Sequence, residues 1–321
     1  MANHNLSKAV NDLIEELKAS RDRNVAAANS AVNPRLKELF QVRAQRRADF
    51  VAELERWEGG DAEVDGNGLE AIQRGLMTVR AAMTIERDKT DDVVLHDSQA
   101  GEARLLESYH EALSADLPAG LAALIRRQYE HIHAAYAYVG ARLGDTGRPI
   151  AIAMFSEVKD AQRAIEALQS AGFDRDQISV LAQEEAVKET LGGDAKKSAK
   201  ETAGAAALSG GIVGGLIGLA AGLTIPIVFP VLAVGTIAAA LGVAAAGAGI
   251  GASYGGIFGA LIGWNVAEEE THRYVEGVRR GEILIAVHTE PERRQEAADV
   301  LQQAGGQSVA KRYEEAEEIE S

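Results

Sequence analysis

The sequence contains no cysteine, and this absence excludes two kinds of site. None of the 321 residues is a cysteine, so the chain forms neither disulfide bonds nor thiolate metal sites. Basic residues are also in deficit, because 33 Lys and Arg face 48 Asp and Glu, for a formal net charge of −15. A phosphate-binding surface needs clustered Lys and Arg. We therefore expect that nucleic acid is not a partner.

Charge is missing altogether from one long stretch. Residues 202–267 contain no Asp, Glu, Lys or Arg, although these residues make up 25% of the chain. Residues i and i+4 lie on the same face of a helix. Each glycine inside a helix costs about 1 kcal/mol of stability relative to alanine. Glycines repeated at this spacing predict a glycine-zipper hairpin over residues 203–267. In such a hairpin the small residues let the helices approach closely, as membrane helices do. The zipper glycines form two runs: Gly210, Gly214, Gly218 and Gly222, then Gly247, Gly251, Gly255, Gly259 and Gly263.

This hairpin predicts attachment to a membrane. Residues 204–223 would span one hydrocarbon thickness as a helix of about 30 Å. After a break that contains Pro226 and Pro230, residues 231–266 offer a second, longer helical segment that bends around Gly242. The lysines at 196, 197 and 200 favour a cytoplasmic flank. We expect a membrane-associated homo-oligomer with cytoplasmic soluble domains. Burial in a soluble oligomer or in a monomeric core are the alternatives.

Residues 1–146 have the pattern of an all-α bundle. Apolar residues at spacings of three and four predict helices over about 6–31 and 34–57, followed by three more that carry residues 69–83, 95–112 and 121–139. Asn33 and Pro34 combine a capping residue with proline at the first helical position. Short turns at 32–33 and 115–118 are typical of antiparallel neighbours in a bundle.

Three charged residues fall on the apolar stripes of this bundle. Arg43, Arg47 and Glu102 occupy positions that face inward, and desolvation costs several kcal/mol per ion unless the charge is paired. The pattern predicts a structural ion-pair network that fixes helix register. An altered metal site, in which arginine replaces the cation, is the alternative. Candidate partners are Ser20, Asn24 and Gln128, with Glu16 and Glu53 at helix edges.

The bundle resembles a bacterial family of ferritin-like four-helix-bundle domains of unknown function. The resemblance rests on residues 13–17, 38–54, 101–109 and 117–129. A ferritin-like di-iron site needs Glu from two helices and Glu-x-x-His from the other two. The pairs Glu107/His110 and Glu130/His133 have this spacing, but they point away from the stripes and their histidines lie roughly 16 Å apart along the bundle. We therefore predict solvated surface residues and no metal or cofactor, with Glu102, Glu130 and His133 as the alternative metal set.

The second half of the chain contains a duplicated βαβ unit. The first copy has strands at 149–155 and 178–181 around a helix at 158–171, and the second has strands at 282–288 and 308–313 around a helix at 291–304. A shift of 133 residues gives seven identities in seventeen positions, which indicates an internal repeat. Two such units in one sheet predict a ferredoxin-like domain. Its halves, 149–182 and 268–313, flank a polar linker at 183–202 and the hairpin, and an acidic tail follows at 314–321.

Residues 149–313 resemble the bacterial general-stress, heat-induced stress-protein family. The resemblance rests on Phe155, on the helix end from Ala164 to Gly172 and on the glycine-rich insert. It implies a stress-linked role and supplies no catalytic residues. We therefore expect a multidomain, non-enzymatic structural or interaction protein that is anchored to a membrane or assembles with itself. A membrane-tethered ferritin-like metal-binding oxidase or iron-handling protein is the alternative.

Overall fold

The chain divides into two compact units, Met1–Arg142 and Leu143–Ser321. The structure is a computed structural model that describes residues 2–57, 68–83, 89–144, 149–183, 231–241 and 253–308. The first unit is all-helical and the second contains a small antiparallel sheet. The predicted sequence of a helical region followed by an α+β region is therefore confirmed at this level.

Five helices form the first unit. They are α1 (Ala2–Ser30), α2 (Pro34–Glu55), α3 (Gly68–Met83), α4 (Lys89–Leu113) and α5 (Ala119–Gly144). Helix α1 packs against α2 and α4, and α2 also packs against α3. The predicted start of α2 is observed, since the Asn33 side chain accepts a hydrogen bond from the Arg35 amide at 2.9 Å, and Pro34 takes the first helical position. The centre of the unit consists of fully buried apolar side chains, among them Leu13, Leu17, Leu36, Phe40, Leu95 and Leu105.

Helix α5 is buried over more of its circumference than the sequence predicted. The expected stripe is present, with Ile125 and Val139 fully buried. Tyr138 and Ala134 on other faces are also buried, and so is His133, whose exposed fraction is 0%. The prediction that His133 is a solvated surface residue is therefore wrong. The prediction assumed that α5 has one inward face, whereas small and aromatic residues on several of its faces are buried.

The second unit is built on a four-stranded sheet. Its elements are β1 (Ile150–Phe155), α6 (Val158–Ser170), a 3-10 turn (Arg175–Gln177), β2 (Ile178–Gln183), β3 (Val231–Val234), α7 (Thr236–Ala240), α8 (Tyr254–Gly263), α9 (Glu268–Arg279), β4 (Ile283–His288), a 3-10 turn (Pro291–Arg293) and α10 (Arg294–Gln303). The strand order is β1-β4-β2-β3, and every pair is antiparallel.

Strand β4 lies inside the sheet and is covered on both faces. Phe155 of β1 is aligned with Ile283, and Leu181 of β2 with Leu284. One face of the sheet packs against α6 and α10 through a core that includes Ile285, while α9 contacts β2 and β4. The continuous apolar run of β4 is explained by this position, because a strand buried on both faces has no reason to alternate.

The predicted fourth strand at 308–313 lies outside the described residues from 309 onward. Its start is visible as a bridge, since the amides of Met154 and Gln307 each donate to the carbonyl oxygen of the other at 3.0 Å. Strand β3, which the sequence did not predict, lies at the opposite edge of the sheet and pairs with β2.

The expected second apolar segment at 231–266 is not one helix. Its described residues form β3, the five-residue helix α7 and the ten-residue helix α8, so the expectation of a helical segment is wrong for Val231–Val234. The predicted bend around Gly242 lies outside the described residues. Strand β3 forms because Val231–Val234 completes the free edge of β2. Helix α8 begins directly after its N-cap Ser253, whose hydroxyl accepts from the Gly256 amide at 3.0 Å, and ends before Asn265, which has a positive φ of 62°.

The zipper glycines are only partly within the described residues. Gly255, Gly259 and Gly263 lie in α8 and are buried, whereas the first run and Gly247 and Gly251 lie outside the described residues. Helix α8 packs against α9, where Phe258 meets the His272 ring edge-on with centroids 4.9 Å apart. Among the helices that the structure describes, none has the length and hydropathy needed to cross a membrane.

Two glycines with similar backbone angles predict different costs of substitution. Gly235 has a φ of +82°, and an added Cβ would lie 2.2 Å from the Ile178 carbonyl oxygen. Gly172 has a φ of +83°, and no atom of the described residues lies within 4 Å of an added Cβ. We expect Gly172→Ala to lower the free energy of unfolding by about 1 kcal/mol through backbone strain, and Gly235→Ala to lower it by more than about 3 kcal/mol because the clash forces β2 and β3 apart.

Urea unfolding of the full chain measures this difference. The fluorescence of Trp264, in a Trp57→Phe background, reports on the second unit alone. Equal losses for the two alanine variants would contradict the close approach of Gly235 to β2.

Candidate functional site: a buried polar layer in the helical bundle

The first unit contains a layer of polar side chains within its apolar core. Arg47 of α2 and Glu102 of α4 form its centre, with Nη2 and Oε2 2.5 Å apart and each side chain only 3% exposed. The structure thus brings together two of the three residues of the predicted ion-pair network. A charge pair at this depth fixes the position of α2 relative to α4, because separating the charges would leave each one desolvated.

The second oxygen of Glu102 connects the pair to α1. Asn24 donates through Nδ2 to Glu102 Oε1 at 3.3 Å and to the Ser20 carbonyl oxygen at 2.9 Å. Burial raises the pKa of the Glu102 carboxyl, but the charges of Arg47 and Arg43 and the hydrogen bonds from Arg47 and Asn24 bring the pKa below its ordinary value. Glu102 is therefore ionised at neutral pH, as the ion pair requires.

A second cluster joins α2, α4 and α5. Gln128 accepts a hydrogen bond from the Tyr109 hydroxyl at 2.9 Å and donates to the Phe50 carbonyl at 3.2 Å and to Glu53 at 2.8 Å. Arg127 also donates to Glu53, at 2.9 Å. Burial raises the pKa of Tyr109 well above its ordinary value, so its hydroxyl keeps its proton and remains a donor. Gln128 and Glu53, both named from sequence, therefore lie in this cluster.

Arg43, the third residue of the predicted network, is poorly satisfied. Its side chain is 5% exposed and its one hydrogen bond within the described residues is Nη1 to Ser98 Oγ at 3.3 Å. Its Nε and Nη2 atoms are buried and have no hydrogen-bond partner among the described residues, and the same holds for Nε of Arg47. Burial lowers the pKa of Arg43, Glu102 raises it and Arg47 lowers it further. Two guanidinium groups thus face one carboxylate.

Sequence reasoning missed His131, which lies beside the arginines. Burial lowers the pKa of His131 to about 3, and the charges of Arg46 and Arg47 act in the same direction. Its ring meets Phe50 edge-on, with centroids 5.9 Å apart. A signal was present in the sequence, because residue 131 follows Gln128 by three positions and therefore lies on the same side of α5.

The structure does not bring the alternative metal ligands together. Within the described part of the chain, no three His, Asp or Glu residues are grouped so as to hold a metal ion. Glu102 is bound by Arg47, and His133 lies edge-on to Tyr129 with ring centroids 5.1 Å apart. Glu130 is half-buried one turn from His133. Of the other pair, Glu107 is exposed and His110 is half-buried, with a pKa that burial lowers.

The geometry defines a protein with a helical bundle and an antiparallel α/β unit, in which the buried polar groups bind mainly to one another. Residues 5–115 match the family model described as Domain of unknown function (DUF2383). Residues 151–224 match the Heat induced stress protein YflT domain. The chain therefore contains two regions, each less than half of its length, that are similar to these two domains. Comparisons with curated proteins and with solved structures gave no significant match.

These matches confirm the two family resemblances recognised in the sequence over residues 5–115 and 151–224. The parts of the resemblances at residues 117–129 and 225–313 remain predictions. The stress-protein match extends beyond β2 to residue 224 and so includes the first run of glycines. Close packing of those glycines and a ferritin-like arrangement of the bundle remain predictions.

The ion pair predicts a specific pattern of stability changes. Glu102→Leu leaves two buried arginines without a carboxylate and should lower the free energy of unfolding by about 3–5 kcal/mol. The triple variant Arg43→Met, Arg47→Met, Glu102→Leu removes all the charges and should regain most of this loss. Urea unfolding followed by circular dichroism measures both variants. Glu107→Leu, an exposed change on the same helix, is the control and should stay within about 0.5 kcal/mol of the wild type.

His131 predicts a dependence of stability on pH. Its folded-state pKa of about 3 lies below the unfolded value of about 6.5, so the unfolded chain takes up a proton that the folded chain refuses. The contribution of His131 to stability is complete well above about pH 6.5. Below that pH the free energy of unfolding should fall by up to about 1.4 kcal/mol per pH unit.

The pH dependence of stability in two histidine variants tests whether His131 causes this effect. His131→Gln should reduce the loss of stability between about pH 7 and about pH 5, measured by urea unfolding of the full chain. His96→Gln, which removes an exposed histidine from α4, should keep the wild-type slope. An unchanged slope in His131→Gln would show that His131 does not contribute.

Proposed function

We propose that this chain is a stress-associated structural protein that acts by association with itself or with a membrane surface in the cytoplasm, and not by catalysis. The observation that carries the proposal is the match of residues 151–224 to the heat-induced stress-protein domain. The internal pairing of Arg47 with Glu102, and of Gln128 with Glu53 and Tyr109, supports a structural role for the polar layer of the bundle.

The association element is the uncharged segment that contains the first glycine run, Gly210 to Gly222. The second run is a weaker candidate, because Gly255, Gly259 and Gly263 are buried inside the second unit. A smooth glycine face that packs against an identical face needs a second copy of the chain. A homo-oligomer built through residues 203–223 satisfies that need.

The sheet limits how this segment meets a membrane. Gln183 and Val231 are direct partners in the β2–β3 ladder, so the chain leaves and re-enters the sheet at one place. A segment with this constraint crosses a bilayer an even number of times. Residues 204–223 suffice for one crossing, but residues 224–230, even fully extended, reach only about 24 Å against a thickness of about 30 Å. Self-association, or attachment to the membrane surface, fits this constraint better than a spanning hairpin.

The second unit is proposed to be ferredoxin-like. Two observations support this. The strands of the repeated units β1-α6-β2 and β4-α10 belong to one antiparallel sheet. Gln307 also forms a bridge to Met154 at the free edge of β1. A last strand continuing from Gln307 would complete the split βαβ arrangement. Strand β3 would then be an addition at the other edge.

Two matched variants test the association. On a helix, Gly214→Leu with Gly218→Leu fills the glycine face, whereas Ala205→Leu with Ala220→Leu places the same leucine side chains at positions roughly opposite to it. We expect the wild type and the alanine-site variant to sediment as oligomers in detergent-free buffer, and the glycine-site variant to sediment as a smaller species. A monomeric wild type that is also absent from carbonate-washed membranes would refute the proposal.

Metal analysis of the purified full chain tests the proposal that the protein does not act by catalysis. The alternative function, an iron-handling or metal-binding oxidase, requires about two iron ions per chain. Iron at that level would overturn the structural role of the bundle while leaving the association result unaffected.

A further inference from the structure

A groove follows the outer edge of strand β1 in the second unit. It has a volume of about 590 Å³ and lies between α9 and α10, with Ile150 and Ile152 of β1 along its base. The described part of the chain ends in this groove, because Ser308 forms part of its wall. Residues 309–321 follow that point directly, so the groove is within their reach.

The described residues cover only part of this edge of β1. Met154, which forms the bridge with Gln307, is 1% exposed, whereas Ile150 and Ile152 are half-buried. Within the described part of the chain, these two isoleucines lack the outer neighbour that Met154 has. The edge therefore offers a place where an extended segment can add as a strand.

The chain enters the groove in a fixed position. The amides of Met154 and Gln307 each donate to the carbonyl oxygen of the other at 3.0 Å, as in a hydrogen-bonded antiparallel pair. A Cβ added at Gly306 would lie 2.6 Å from Phe155 Cζ and 2.7 Å from the Leu301 carbonyl oxygen, so the backbone is in close contact with its surroundings there. The direction and the register of the following residues are thereby set.

This register assigns each following side chain to one wall of the groove. Val309 falls opposite Ile152, and Lys311 falls two residues further along. Even-numbered residues of β1 face α9, since the Met154 Cε atom would lie 2.7 Å from a Cβ added at Gly277 of that helix. Because opposite partners share a face of the sheet, Val309 and Lys311 also face α9.

The α9 wall matches these two side chains. Tyr274 presents a ring against which Val309 can pack, and Glu270 presents a carboxylate that can pair with Lys311. Among the described residues Glu270 has no ion-pair partner. From Gly277 to Glu270 the helix covers about 10 Å, and four residues of β1 cover about 13 Å. Glu270 therefore reaches the end of the groove where Lys311 falls.

The α10 wall matches the residue between them. Ala310 falls opposite Ala151, where Ala298 of α10 lines the groove, so small side chains meet on this wall. Arg294 of α10 donates through Nε to the Ile150 carbonyl oxygen at 3.1 Å. A carbonyl oxygen accepts two hydrogen bonds, so this contact leaves a lone pair for the amide of an added strand.

We propose that residues 309–313 bind in this groove as a strand antiparallel to β1, and that they block the pairing of β1 with another chain. The inference rests on the proposed ferredoxin-like arrangement and adds to it the register, the neighbours on α9 and a role. An uncovered edge strand is a template for pairing with extended segments. A strand of the same chain removes that template, so association between copies is left to residues 203–223.

Disulfide formation in the full chain tests the register, since the wild-type chain has no cysteine. Ile152→Cys with Val309→Cys places two thiols opposite each other on one face, and oxidation should cross-link them within one chain. In the control, Ile152→Cys with Ala310→Cys, the Cβ atoms point to opposite faces and the thiols should stay reduced. Non-reducing electrophoresis with peptide mapping separates links within a chain from links between chains. Equal cross-linking of the two variants, or links only between chains, would overturn the proposal.

Hydrogen exchange measured by mass spectrometry gives a second readout that needs no cysteine. In this register the Ile152 amide donates to the Val309 carbonyl oxygen. We expect this amide to be protected in the wild type and to lose its protection in Val309→Pro, which cannot donate to the ladder. Glu318→Pro, beyond the proposed strand, should keep the protection. Rapid exchange of the Ile152 amide in the wild type would reject the proposal.

Both measurements report on the groove and not on the glycine face. A negative result in either of them leaves the sedimentation test of the glycine variants unaffected. A monomeric wild type in that test, in turn, leaves the cross-linking and exchange results unaffected. The failure of this inference is therefore distinguishable from the failure of the proposed association.

Discussion

The burial of the Glu102 carboxylate against the Arg47 guanidinium group determines how the helical unit is assembled. Glu102 reaches Arg47 on α2 and Asn24 on α1 from its position on α4, so a single side chain ties three helices together. Apolar contacts alone tolerate sliding of one helix along another, because they are not directional. A desolvated ion pair does not tolerate it, since each displaced charge would lose its partner without regaining water. The second cluster around Gln128 extends the same control to α5.

The second unit depends on a different constraint, which is the pairing of strands that are far apart in the sequence. Strand β4 is hydrogen-bonded to β1 on one side and to β2 on the other, so the sheet forms only when the chain returns after the long insert. Strand β3 then covers the edge of β2 that would otherwise remain open. Covering an edge in this way removes a template for unwanted pairing with other chains.

Local sequence patterns predicted much of this fold, and the failures have physical causes. The start of α2 at Pro34 and the strands at 150–155 and 283–288 are set by nearby residues and were recognisable. Strand β3 was not, because Val231–Val234 becomes a strand only through its long-range partner β2. In the candidate site, the inward charges Arg43, Arg47 and Glu102 were identified from helical spacing. His131 and the buried position of His133 were missed, because a single inward face was assumed for α5.

The adjacency of Gln183 and Val231 has a consequence for how this architecture diversifies. Because the two ends of the intervening segment are already held together by the sheet, the entropy of closing it grows only with the logarithm of its length. Related chains can therefore exchange this segment for a shorter, longer or chemically different one at little thermodynamic cost to the rest of the domain. The β2–β3 edge thus acts as a tolerant graft point, where new recognition properties can arise without redesign of the core.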